Sequence, residues 1–149
     1  MRTLYRVAGV VLLCDQLTKF LAVSYLKPLA GISVVPNIFN LSYVENTGIA
    51  FGFFQGHPEF LTLLITASVL ALFVCAGFFK YQPLPQKLAY GFIVGGSLGN
   101  WVDRMRVGHV IDFLDFHISS VFHWPVFNIA DSFITIGVFL FIGFALRGR

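Results

Sequence analysis

Apolar residues gather into four long runs along the chain, and polar stretches of different character separate them. The runs are Val7–Leu26, Phe60–Phe79, Leu88–Arg104 and Val126–Leu146. A helix needs ~20 largely apolar residues to cross a ~30 Å hydrocarbon core, and each run meets or approaches that length. Helices are expected because an isolated strand cannot satisfy its backbone groups in lipid. The second run carries no charge at all, whereas the first is interrupted by Asp15, Gln16, Thr18 and Lys19. The third is short and rich in glycine, and the fourth holds Asn128 and Asp131 in its first turns. The predicted fold class is an all-α membrane protein of four transmembrane helices, formed by residues 1–149 as a single integral membrane domain.

Two connecting segments, 27–59 and 105–125, are too long and too patterned to be plain linkers. Asn37–Glu45 alternates, with Phe39, Leu41 and Tyr43 on one face, and reads as a half-buried strand after Pro36. Asn46-Thr47-Gly48 reads as a turn, and Ile49–Phe54 is apolar enough to lie at a membrane interface. Val110–Phe116 is a short apolar stretch with Asp112 and Asp115 embedded in it. Together these segments predict a small β-rich platform on the membrane surface.

Composition sharpens the membrane reading. Only 11% of residues are charged and 57% are hydrophobic, against about 25% charged in soluble domains. The net charge of +3 does not point to nucleic acid, because the basic residues sit at the ends of apolar runs and form no stripe. Their distribution instead orients the chain. Arg2 and Arg6 before the first run, Lys80 and Lys87 between the second and third, and Arg147 and Arg149 after the fourth lie in segments that contain no acid, whereas Lys27 and Arg106 share their loops with Glu45, Glu59, Asp112 and Asp115. The positive-inside rule places both termini and the short middle loop in the cytoplasm, and the two long loops, with the platform, outside. Arg2, Arg6 and Val7–Cys14 look like the start of a signal peptide, but the apolar run continues to Leu26, so a retained span is expected. Cys14 and Cys75 fall in different runs at different depths, which argues against a disulfide.

Ionisable residues inside a span cost at least ~2.5 kcal/mol each on insertion scales and need a reason. Asp15 and Lys19 are four apart and share a helical face, as an internal ion pair or as part of a site. Asn100, Asp103 and Arg104 share a side at the end of the third run. Upstream of them Gly91, Gly95 and Gly99 recur every four residues, a stripe for close packing of a neighbouring helix. Asn128 and Asp131 open the fourth run, where Asp131 also suits the positive end of a helix dipole. Asp103, Asp112, Asp115 and Asp131 are expected to approach one membrane level.

Two carboxylates held together in a low-dielectric site cannot both ionise easily, which places an acid beside a base. Such a pair can activate water against a carbonyl and protonate the leaving nitrogen. No serine, cysteine or lysine stands in an equally suggestive context. Spacing leaves Asp103, Asp112 and Asp115 all open as the partner of Asp131. His109 and His117 with Asp112 and Asp115 offer metal donors, but their spacing matches no tight zinc pattern, so neither metal nor cofactor is expected.

Five segments carry a resemblance to a known family. Asp15-Gln-Leu-Thr-Lys19, Asn46-Thr-Gly-Ile-Ala-Phe51, Gly99-Asn-Trp-Val-Asp-Arg104, Val110-Ile-Asp-Phe113 and Phe127-Asn-Ile-Ala-Asp-Ser132 together resemble the bacterial lipoprotein signal peptidases (signal peptidase II), in the family's order from first span to last. The resemblance implies an aspartic endopeptidase of the bacterial plasma membrane. It would cut the signal peptide from a prolipoprotein just before a cysteine already carrying diacylglycerol, with its site at the extracytoplasmic face. Matched residue by residue, Asp112 and Asp131 fall on the catalytic dyad. Asp15, Asn46, Asn100, Arg104 and Asn128 fall on the polar residues that orient the dyad and contact substrate, and Asp103 supports Arg104 or the fold. The implied partners are lipidated prolipoproteins and membrane lipid, and a monomer is adequate. The competing readings are a small proton- or ion-coupled carrier using Asp15, Asp131 and Arg104, and a non-catalytic assembly subunit with the glycine stripe as its interface.

Overall fold

The structure, a computed structural model, describes residues 1–29, 31–48, 58–118 and 122–147. Four long helices occupy the described residues. Helix α1 (Arg2–Leu21) runs on through a π-helical turn, Ala22–Leu26, into a final turn, Lys27–Leu29. Helix α2 (Pro58–Cys75) ends in a 3₁₀ turn, Ala76–Phe79, while α3 covers Leu84–Val107 and α4 covers Ile129–Arg147. Arg2–Leu29 and Glu59–Phe79 are long and apolar enough to cross a membrane, and Ile129–Phe144 is a shorter apolar helix. The third helix is longer than the apolar run that predicts it. It begins at Leu84 behind Pro83, and Pro85 suits a first turn whose N–H groups lack helical partners anyway. It stops at Gly108, whose φ of 79° lets its N–H return to the Arg104 carbonyl at 3.0 Å.

Helix α3 is the centre of the bundle, and glycine explains why. A Cβ on Gly95 would lie 2.6 Å from the Ala8 carbonyl oxygen of α1, and one on Gly99 would collide with the Asp15 carboxylate. Gly91 faces Leu4 and Val7 in the same way. The four-residue stripe thus packs within the chain against α1, not against another subunit. Gly96 lies against the Ala130 carbonyl of α4, and Gly137 of α4 against Ala89. On the third side, Tyr90 donates to the Leu72 carbonyl (2.8 Å) and Trp101 Nε1 to Thr66 Oγ1 (2.9 Å), which ties α2 to α3. These pairings make α1 parallel to α3, with α2 and α4 antiparallel to it. Lipid offers little hydrophobic drive between helices, so close backbone approach and polar ties supply the cohesion. Outward, large apolar side chains are bare: Leu13 is 70% exposed, Leu63 69%, Val74 76% and Phe139 71%.

A four-stranded antiparallel sheet, ordered β1-β2-β3-β4, covers the end of the bundle where α1 and α3 finish and α4 starts. Its strands are β1 (Ile32–Val35), β2 (Phe39–Asn46), β3 (Val110–Ile118) and β4 (Phe122–His123). The expected strand at 37–45 is β2, the apolar stretch at 110–116 forms most of β3, and β1 and β4 are additions. The turn between β1 and β2 closes through Ile38 N–H to the Val35 carbonyl (3.1 Å), with Asn37 at φ 63°. Asparagine tolerates that conformation. Ala22 and Leu26 of the π turn pack with Phe113 of β3, seating the sheet on the helices. The interfacial segment expected at 49–54 lies outside the described residues. Cys14 and Cys75 are free and exposed.

Candidate active site

Where the sheet meets the bundle, β3 and the first turn of α4 converge on Asn128. Leu114 and Phe127 exchange backbone hydrogen bonds of 2.8 and 3.1 Å, so the chain entering α4 is pinned to β3. Asn128 then caps α4. Its Oδ1 accepts from the Asp131 N–H at 2.9 Å, while Asp131 Oδ2 accepts from the Asn128 N–H at 3.3 Å. This reciprocal pair is an Asn/Asp form of the capping box. The helix-start role and the site role of Asp131 are therefore served by one carboxylate, because Asp131 Oδ1 remains free to accept from Asn100 Nδ2 at 2.7 Å.

Asp112 approaches from β3. It is 1% exposed, and it accepts from Asn128 Nδ2 at 2.6 Å and from Asn46 Nδ2 at 2.8 Å. Burial, followed by the charge of Asp131, pushes its pKa up to about 7, against the partial relief given by the Asn46 and Asn128 amides. Both aspartates line a cavity of about 890 Å³ together with Asn46, Asn100 and Arg104, and with an apolar wall that includes Ile65, Val69, Val126 and Ile136. Of the three partners that spacing left open, Asp112 is the one that shares this cavity with Asp131. Among the described residues, no cation stands within ion-pair distance of either carboxylate.

The other acids go elsewhere. Asp15, fully buried, accepts from the Ala130 N–H at 2.9 Å and so holds the start of α4 against α1. Lys19 bridges Asp15 (2.9 Å) and Asp103 (2.8 Å), and donates to Asn100 Oδ1 at 2.9 Å. That last bond fixes which way the Asn100 amide faces, leaving its Nδ2 for Asp131. Asp103 also accepts from Gln16 (3.0 Å) and the Ile111 N–H (3.2 Å). Its hydrogen bonds thus brace α1 and the start of β3 rather than Arg104. Arg104 itself donates to the Gly48 carbonyl at 2.7 Å and the Asn100 carbonyl at 3.4 Å. Asn46 Oδ1 accepts from the Gly48 N–H at 3.0 Å, so Asn46 and Arg104 fix the same turn. Asp115 turns to Ser42 of β2 (3.0 Å) and to histidines of the sheet.

All seven site residues singled out from the sequence, Asp15, Asn46, Asn100, Arg104, Asp112, Asn128 and Asp131, gather at this end of the bundle. Gln16 was not singled out for the site, and for Lys19 the sequence left an ion pair with Asp15 and a place in the site equally open. The signal was present, since both are polar residues inside an apolar run, but only the packing of α1 on α3 reveals that they reach Asn100 and Asp103.

Known proteins resemble the chain in sequence and in fold. The family described as Signal peptidase (SPase) II matches residues 7–147. Among curated relatives, the lipoprotein signal peptidase of Thermodesulfovibrio yellowstonii is 41% identical over 132 residues, covering 89% of this chain and 86% of that protein. The lipoprotein signal peptidase of Syntrophotalea carbinolica is 43% identical over 141 residues, covering 92% and 86%. A bacterial membrane enzyme solved at 2.3 Å superposes with a TM-score of 0.85 at 33% identity, over 99% of this chain and 89% of its own. A second, solved at 1.9 Å, gives 0.83 at 33% identity, over 100% and 96%.

Proposed function

The chain belongs to the signal peptidase II family, and from that premise we propose that Asp112 and Asp131 are the catalytic dyad of a membrane endopeptidase that removes signal peptides from prolipoproteins. The observation that carries the assignment is the shared cavity: two carboxylates on its wall, held by asparagine amides and, among the described residues, with no cation at ion-pair distance. With Asp112 pushed up to about 7, one carboxyl holds a proton near neutrality while the other is ionised. The ionised carboxylate takes a proton from water as the water oxygen attacks the scissile carbonyl carbon. The protonated carboxyl then supplies a proton as the C–N bond breaks, so the nitrogen leaves as a neutral amine. Asn46, Asn100 and Asn128 hold the two carboxyls, Arg104 fixes the 46–48 turn, and Asp15 anchors the start of α4.

The substrate is a prolipoprotein whose cysteine carries diacylglycerol, cut just before that residue. The apolar wall of the cavity and the bare apolar flanks of the helices suit a substrate that stays in the bilayer. The four helices are four spans, with both termini on the cytoplasmic side, where Arg2, Arg6, Lys80 and Lys87 cluster, and with the sheet and dyad at the extracytoplasmic face. The protein acts as a monomer in the bacterial plasma membrane.

The test is a gel-shift assay on a diacylglyceryl-modified prolipoprotein, with wild type beside Asp112→Asn and Asp131→Asn. Each substitution should lower the rate by at least ~10²–10⁴ while the protein stays folded. A fully active Asp131→Asn would overturn the dyad.

A further inference from the structure

The β3–β4 hairpin carries a cluster for which the proposed reaction has no use. Asp115 and His117 are two apart on β3, so their side chains leave the same face of the sheet. His123 on β4 stands directly opposite His117 in the strand register, which puts a third donor on that face. Asp115 Oδ1 lies 3.5 Å from His117 Nδ1 and 3.7 Å from His123 Nδ1, and one donor atom from each residue falls within 4.8 Å of the others. The sequence alone groups His117 with His109, Asp112 and Asp115 as candidate metal donors, in a spacing that matches no zinc pattern. The fold keeps Asp115 beside His117 and separates the others, since His109 lies 3.8 Å from Glu45 and Asp112 belongs to the dyad.

Two features of the cluster point to a ligand. Asp115 is only 8% exposed, yet its Oδ1 and the Nδ1 of His117 are buried with no hydrogen-bond partner among the described residues. Leaving buried polar atoms unpaired costs ~1–3 kcal/mol each, and most such atoms in folded proteins have a partner. Two of the spacings also suit a coordination shell, and the exposed His123 can close the third. Two ligand atoms ~2.1 Å from a tetrahedral ion lie about 3.4 Å apart, close to both carboxylate–imidazole separations. Ser42, donating to Asp115 Oδ2 at 3.0 Å, holds the carboxylate from behind as outer partners of metal ligands do. His123 stacks on His117 at 4.9 Å between ring centres, and its side chain is 63% exposed, so it is free to turn its Nδ1 toward the gap.

We propose that Asp115, His117 and His123 bind one divalent transition-metal ion of the zinc class, which clips β4 to β3 and leaves a fourth position to water. Two imidazoles and a carboxylate suit Zn²⁺ and its first-row neighbours rather than Ca²⁺ or Mg²⁺, which prefer all-oxygen shells.

The experiment uses the tag-free full chain in detergent micelles, stripped with chelator and titrated with Zn²⁺, and in parallel with Co²⁺ for its tetrahedral absorption bands. One equivalent should bind per chain, raising the thermal midpoint. His117→Gln and His123→Gln should each weaken binding at least tenfold and abolish the thermal shift, while His109→Gln changes neither. His123 is exposed, so its variant keeps the fold and the comparison remains interpretable. Sub-stoichiometric binding by the wild type, undiminished binding by His123→Gln, or loss of binding in His109→Gln would each overturn the proposal.

Discussion

Two pairs of aspartates meet around Asn100, and they are held in different ways. Asp15 and Asp103 share the Lys19 ammonium, at 2.9 and 2.8 Å. Among the described residues, Asp112 and Asp131 share amides instead: Asn128 Nδ2 reaches Asp112, the Asn128 side chain caps the Asp131 N–H, and Asn100 and Asn46 add theirs. A bridging cation gives its partners a counter-charge as well as a fixed place. Neutral amides fix place but leave the proton count open, and burial beside Asp131 then pushes Asp112 up to about 7. The first pair is structural for that reason, and the second is chemically available. Lys19 belongs to both, because its third contact orients Asn100 toward Asp131.

The largest expected effect comes from removing the shared cation. Lys19→Met leaves two buried carboxylates without their partner, and truncating one side of a buried pair costs roughly 3–5 kcal/mol. Its thermal midpoint in detergent should fall far below that of Asp112→Asn, which removes no counter-ion. Equal midpoints for the two variants would erase the distinction between the pairs.

Gly99→Ala probes the same pair sterically. The new methyl would press on the Asp15 carboxylate, which is held in place by Lys19 and the Ala130 N–H. Overpacking of this kind costs typically ~1–3 kcal/mol. Gly143→Ala is the control, since a Cβ there meets nothing within 4 Å. The midpoint should drop for Gly99→Ala and hold for Gly143→Ala.

Asn128→Ala tests the amide side of the comparison. Losing a helix cap costs about 1 kcal/mol, a small change in stability. The rate should suffer far more, because Asp112 loses its 2.6 Å donor and Asp131 the partner that fixes it. A cleavage assay beside a melting curve separates the two effects, and a proportional loss in both would assign Asn128 to the fold alone.

A slope in pH tests the comparison by titration. Asp112 holds its proton more tightly in the folded chain, at about 7, than at the usual 3.8. Its stabilising contribution is therefore complete below about pH 4 and is lost as pH rises through about 7. Melting curves should show that decline between pH 4 and 7 in wild type and a shallower one in Asp112→Asn. Cleavage should also fall on the alkaline side as the dyad's proton is lost.

The apolar runs, the alternation at 37–45 and the polar residues inside spans were legible because each is a local property of the chain. A helix must carry ~20 apolar residues to suit lipid, a half-buried strand must alternate, and a charge in a span demands a reason. The glycine stripe was legible as a packing surface, but not its partner, since a four-residue period says that something approaches without saying what. The short strands β1 and β4 carry too few residues to show a period. Which aspartate joins Asp131 in the cavity, which cation neutralises Asp103, and that His123 rather than His109 stands beside His117 depended on contacts between residues far apart in sequence. Those contacts arise from α1 packing on α3, from Phe127 pinned to Leu114, and from the register of a hairpin. Sequence determined which residues had to find partners in a medium without water, and the tertiary packing decided which partners they found.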